Sequence, residues 1–153
     1  MAFDIYPWLK VIHILLAIVA VGLNISYGIW LARASREPQH LGYTLRGIKF
    51  LDDRVANPSF VGLGVVGILL VLTGPWAFTQ FWIALAIGLY VALIVVGIAL
   101  FTPTLSRQIK VYESDGPTSA EFRELSRRGR LLGLALGLIV IAIIVLMVVK
   151  PVF

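Results

Sequence analysis

Residues 55–106 read VANPSFVGLGVVGILLVLTGPWAFTQFWIALAIGLYVALIVVGIALFTPTLS, a run of 52 residues without one Asp, Glu, Lys or Arg. About 20 mainly apolar residues cross the roughly 30 Å of hydrocarbon in a bilayer, so the run is too long for one helix and right for two. It breaks at Thr73-Gly74-Pro75-Trp76, a helix-stopping cluster. Two further uncharged stretches, 11–32 and 131–149, stand on either side of it. The sequence therefore predicts an all-α, polytopic membrane protein: one domain over 1–153, a four-transmembrane-helix bundle with spans near 8–32, 58–78, 82–103 and 131–149.

Composition agrees. Of 153 residues, 59% are hydrophobic and 14% charged, and mean hydropathy is +0.95. A soluble domain carries about a quarter charged residues, because water must wet its surface. The partner implied here is the lipid bilayer. In a soluble protein the net charge of +5 would suggest nucleic acid; with the charges confined to loops it reads as an orientation signal, and no nucleic-acid partner is expected. There are no cysteines, which removes disulfides, thiolate metal sites and thiol chemistry. The N-terminus opens with Asp4 and aromatics rather than a basic region, so the first span is expected to be retained rather than cleaved.

Orientation follows from where the cations fall. Arg33, Arg36, Arg46, Lys49 and Arg54 lie between the first two spans. Arg107, Lys110, Arg123, Arg127, Arg128 and Arg130 lie between the last two. The turn at 76–82 has no charge. Eleven of the 13 basic residues thus share one side, expected to be the cytoplasm, with both termini outside in a bacterial inner (plasma) membrane. Tyr6, Trp8, Trp76, Phe81 and Trp82 are expected to form an outer aromatic belt.

Local signals place the helix starts. Pro7 suits a first turn, Asn57-Pro58 reads as an N-cap followed by proline, and Thr118 with Glu121 has capping-box spacing. Residues 41–54 carry helical spacing (Leu41, Leu45, Ile48, Leu51) and read as an interfacial helix. Asp52-Asp53-Arg54 reads as a salt-bridged helix end. Small residues repeat at Gly129, Gly133 and Gly137, at Ala84, Gly88 and Ala92, and at Gly64, Gly67 and Gly74; these stripes read as helix-packing surfaces.

Chemistry is concentrated on the first span. Lys10, His13, Ala17, Ala20, Asn24 and Gly28 share one face, and ionisable groups in hydrocarbon turn inward. His13 lies below the tryptophan level, where an imidazole can ligate heme iron, relay a proton or bond a carbonyl. Asn24 is expected to make an interhelical hydrogen bond. Tyr90 reads as packing, with His13 as an alternative partner. Lys10 can snorkel to headgroups or meet a propionate entering beside His13. A second axial ligand is scarce: His40 lies in a loop, leaving Met147 at the matching depth. No nucleotide-binding glycine motif, nucleophile elbow or His-Glu-x-x-His motif is present.

The opening Tyr6-Pro7-Trp8-Leu9-Lys10-Val11-Ile12-His13-Ile14 and the ending Val148-Val149-Lys150-Pro151 resemble the small heme-containing membrane protoporphyrinogen oxidases. Asp52-Asp53, Pro58 and Thr73-Gly74 bring the chain closer to an uncharacterised bacterial family of small integral membrane proteins. That family is related to those oxidases and to the copper-resistance D membrane domain. The resemblance implies heme b near the outer face, His13 as the iron ligand and Lys10 as its neighbour. It does not carry over porphyrinogen oxidation. The oxidases bear a lysine early in their third span where 82–86 has none, and an arginine late in the first with no equivalent near Ser26-Tyr27-Gly28. The leading expectation is a redox-associated heme-binding membrane protein with cofactor-binding residues His13, Lys10 and Met147. The alternatives are a non-catalytic accessory subunit, as a homo-oligomer or within a larger membrane complex, and a small-solute or ion pathway.

Overall fold

The computed structural model describes residues 4–151. They form four long helices, α1 Tyr6–Ala34, α2 Pro38–Thr73, α3 Phe81–Asp115 and α4 Ala120–Val149, with no strand among the described residues. The chain runs up, down, up and down. The spanning parts pair as α1 on α2 and α3 on α4, with α1 also touching α4. Pro7 sits in the first turn of α1, where its missing N–H costs nothing.

Helix length divides the molecule in two. With 36 and 35 residues, α2 and α3 are each about 50 Å long at 1.5 Å per residue, well beyond the hydrocarbon. The excess lies at the end where the arginines gather. There Leu41, Leu45 and Ile48 of α2 meet Leu105 and Val111 of α3 and Phe122 and Leu125 of α4, all buried. Gly42 lets Tyr112 lie against the α2 backbone, and Tyr112 in turn packs on Phe122 at 5.9 Å. Charges line the outside of this layer, with Arg46 to Glu113 at 3.2 Å and Arg107 to Glu121 at 2.6 Å. A hydrogen bond from Arg127 holds the Glu124 carboxyl below its ordinary range. Residues 41–54 therefore do not lie along the interface: they are the first half of α2, buried against α3 and α1.

Asn57 is not an N-cap. It sits inside a continuous helix at φ −60° and ψ −47°. A proline ring collides with the carbonyl four residues back and leaves it without a donor. Here the backbone widens instead to π-helical spacing over Asp52–Ala56, and the Asn57 N–H donates to the Asp52 carbonyl. The same device precedes Pro103: Val95–Phe101 is π-helical, and the Thr102 N–H donates to the Gly97 carbonyl. At the start of α4 the cap is Ser119, whose Oγ accepts from the Phe122 N–H at 3.2 Å. Thr118 is not the capping residue, and Glu121 is engaged by Arg107.

At the opposite, aromatic end, the starts of α1 and α3 meet the end of α4. Trp76 donates to the Tyr6 hydroxyl at 2.8 Å and meets Trp82 edge-on at 5.2 Å. Lys150, in the left-handed conformation that closes α4 (φ 47°), holds its ammonium 4.3 Å from the Trp76 ring. Trp8 and Phe81 face outward as a belt requires, whereas Trp82 is buried.

The small-residue stripes divide. Those of α3 and α4 do not hold this bundle together, since a Cβ at Gly88, Gly133 or Gly137 would meet nothing within 4 Å. They face outward. The α2 stripe does pack, and each of its glycines seats an aromatic ring: Tyr90 at Gly64, His13 at Gly67 and Tyr6 at Gly74.

Candidate functional site

Between α1, α2, α3 and α4, in the half nearer the aromatic end, lies an apolar recess of about 160 Å³. His13 and Met147, at opposite ends of the chain, both line it, with Ala17, Leu63, Tyr90 and Ile144. Ile144 and Val148 on its rim are also exposed on the lipid-facing surface, so the recess opens sideways into the bilayer.

Its polar content is small and specific. His13 is held against α2 because Gly67 has no side chain: a Cβ there would stand 3.2 Å from His13 Cε1. The ring lies beside the Leu63 carbonyl, and its buried Nδ1 has no hydrogen-bond partner. A buried ring nitrogen left unsatisfied in an apolar setting is costly. Tyr90 does not bond His13. It seats its ring at Gly64 and donates to the Phe60 carbonyl at 2.8 Å, satisfying itself within the bundle.

Of the three cofactor residues expected from sequence, the structure brings two together. Lys10 is elsewhere, exposed, with its ammonium 5.0 Å from the Tyr6 ring. Asn24 makes no bond across helices. Its amide donates to the Ala20 carbonyl one turn back, at 3.0 Å.

A second polar place was not anticipated. Asp52 is not the salt-bridged helix end that its neighbours suggest; Lys49 pairs with Asp53 instead. Asp52 turns inward, 3% exposed, and its Oδ2 accepts from Thr102 Oγ1 at 2.7 Å and Asn57 Nδ2 at 3.3 Å. Thr102 lies fifty positions along the chain, directly after the π-helical stretch of α3, and meets Asp52 at the start of that of α2. The signal available in sequence was the pair Asn57-Pro58 and Thr102-Pro103, a polar residue before a proline in each middle helix.

An imidazole on one wall and a thioether on another are donor types that heme iron accepts, but the unpartnered His13 Nδ1 is buried on the α2 side, 3.8 Å from where a Gly67 Cβ would stand. The volume is below the roughly 300 Å³ at which enclosed pockets for drug-sized ligands begin. The recess as it stands does not enclose a porphyrin. No group of three or more His, Cys, Asp or Glu that would hold a bare metal ion occurs among the described residues.

A family model described as "Predicted integral membrane protein (DUF2269)" aligns with residues 7–151. No curated protein and no solved structure matches the chain.

Proposed function

The chain belongs to the DUF2269 family of predicted integral membrane proteins, and on that premise we propose that it holds a membrane-borne ligand in the recess, with His13 as its polar anchor. Heme b is the ligand that the donors favour. One observation carries this reading: His13 and Met147, from opposite ends of the chain, line one recess whose rim is exposed at the lipid-facing surface. His13 and Met147 would hold the heme, and the aliphatic wall would exclude water. Heme, when bound, supplies one-electron chemistry. Lys10 then serves the headgroup region rather than the ligand. We place the arginine-rich end in the cytoplasm, because basic residues concentrate on the side that is not translocated; the recess then belongs to the outer half of the membrane.

The test is an absorption spectrum of the protein purified from membranes, with its iron content. A Soret band that is lost in His13→Ala and shifted in Met147→Leu is the expected result. A dithionite-reduced sample with no Soret band and no iron would overturn the heme assignment.

The outward glycines of α3 and α4 favour a second reading, an accessory subunit that docks these faces on another membrane protein or a second copy. Crosslinking in native membranes should then capture a stoichiometric partner, and Gly137→Leu should abolish the capture.

A further inference from the structure

A buried carboxylate hydrogen-bonded only by neutral groups, on which Lys49 acts only through space, is the least expected feature of the molecule. Asp52 is 3% exposed, its hydrogen bonds come from the neutral Thr102 and Asn57, and Lys49 is engaged by Asp53. Uncompensated charge in a low-dielectric setting is strongly unfavourable. Next to it lies a cavity of about 10 Å³, bordered by Asn24, Asp52, Asn57, Gly97 and apolar side chains, which is room for one water-sized particle. The polar groups around it offer oxygen. The amide nitrogens of Asn24 and Asn57 are used on Ala20 and Asp52, so their amide oxygens stay available as acceptors. Thr102 Oγ1 lies 3.2 Å from the Gly97 carbonyl. One turn from Asn24 on α1, Tyr27 is 2% exposed with a hydroxyl that has no partner, and it lies within electrostatic reach of Asp52 and Asp53. π-helical turns concentrate at functional places, and both of those among the described residues border this cavity.

We propose that this cavity is a sodium-ion site in which the Asp52 carboxylate balances the charge, the amide oxygens of Asn24 and Asn57 share in the cage, and Thr102, from outside the cavity wall, holds Asp52 in place. All-oxygen donors select a hard cation, one carboxylate without a second acid selects a single charge, and a one-water volume selects a small ion. Irregular helix at membrane depth is tolerated where it lines such a cavity. The titratable groups around Asp52 are Asp53, Lys49 and Tyr27. The site shares Phe60 and Leu93 with the recess but none of its polar groups, so its test does not depend on what His13 binds.

The full-length protein in detergent at pH 8 is unfolded thermally in NaCl and in choline chloride of equal ionic strength, followed by tryptophan fluorescence. Sodium at about tenfold its dissociation constant should raise the midpoint by roughly 3–6 °C, and Asp52→Asn should abolish the difference. If that variant does not fold, Thr102→Val, which keeps the carboxylate, should shift the sodium titration to at least tenfold higher concentration. Identical midpoints in the two salts overturn the proposal. So does a midpoint that rises only with acidification in choline, which identifies a protonated carboxyl beside a water molecule. A sodium response retained in Asp52→Asn, or untouched in a Thr102→Val read in its place, overturns it too.

Discussion

Gly64 and Gly137 are the same residue in the same kind of helix, yet alanine should have opposite effects at the two. A Cβ at Gly64 would overlap the Tyr90 hydroxyl and disturb its bond to the Phe60 carbonyl. Overpacking costs typically about 1–3 kcal/mol, more than the roughly 1 kcal/mol that alanine gains over glycine within a helix. At Gly137 nothing lies within 4 Å, and only the gain remains. Gly64→Ala should therefore lose up to about 2 kcal/mol, and Gly137→Ala should be neutral or slightly stabilised, in thermal unfolding in one detergent. Equal effects would mean that Tyr90 is not seated on α2. The same scale shows what was legible in sequence. His13 was, because an imidazole in hydrocarbon must turn away from lipid, and counting turns put Met147 level with it. Asp52 was not. Beside Asp53 and Arg54 it spells a surface charge, and only the contact with Thr102 makes it an interior one.

Helix starts separate what local chemistry decides from what packing decides. The start of α4 is local: Ser119 Oγ accepts from the Phe122 N–H, and loss of such a cap costs about 1 kcal/mol. Ser119→Ala should be destabilised by about that amount in urea unfolding, whereas Thr118→Ala should change little; the reverse order would restore Thr118 as the cap. Sequence missed this by one residue because two hydroxyls stand side by side. The entry to α2 was missed for a deeper reason. Asn57-Pro58 has the spelling of a helix start, and nothing nearby distinguishes a start from a proline absorbed by a π-helical turn. The choice rests on the buried Leu41, Leu45 and Ile48, which gain a core only if the helix runs through. The break after Thr73 was legible, since glycine and proline in succession stop any helix.

For the whole molecule, the number of helices was legible in the charge-free runs, because lipid imposes one rule on all of them. Their lateral arrangement was not. A span that is apolar on every side shows no preferred face, and hydrophobicity cannot choose neighbours within lipid. The exception is the basic end, where water surrounds the helices, charges and apolar residues alternate, and the resulting core ties α2, α3 and α4 together. That asymmetry bears on orientation. The end with a water-built core and eleven basic residues should remain in the cytoplasm, and the uncharged turn at 76–82 should cross. The chain has no cysteine, so single-cysteine reporters are free of background. Thr79→Cys, in the aromatic turn, should react with a membrane-impermeant maleimide on intact cells, and Ser114→Cys, at the exposed end of α3, only after lysis. Labelling of Ser114→Cys on intact cells with Thr79→Cys protected would invert the protein. His13 and its recess would then belong to the cytoplasmic half of the membrane, and the buried Asp52, with the cation proposed for it, to the outer half.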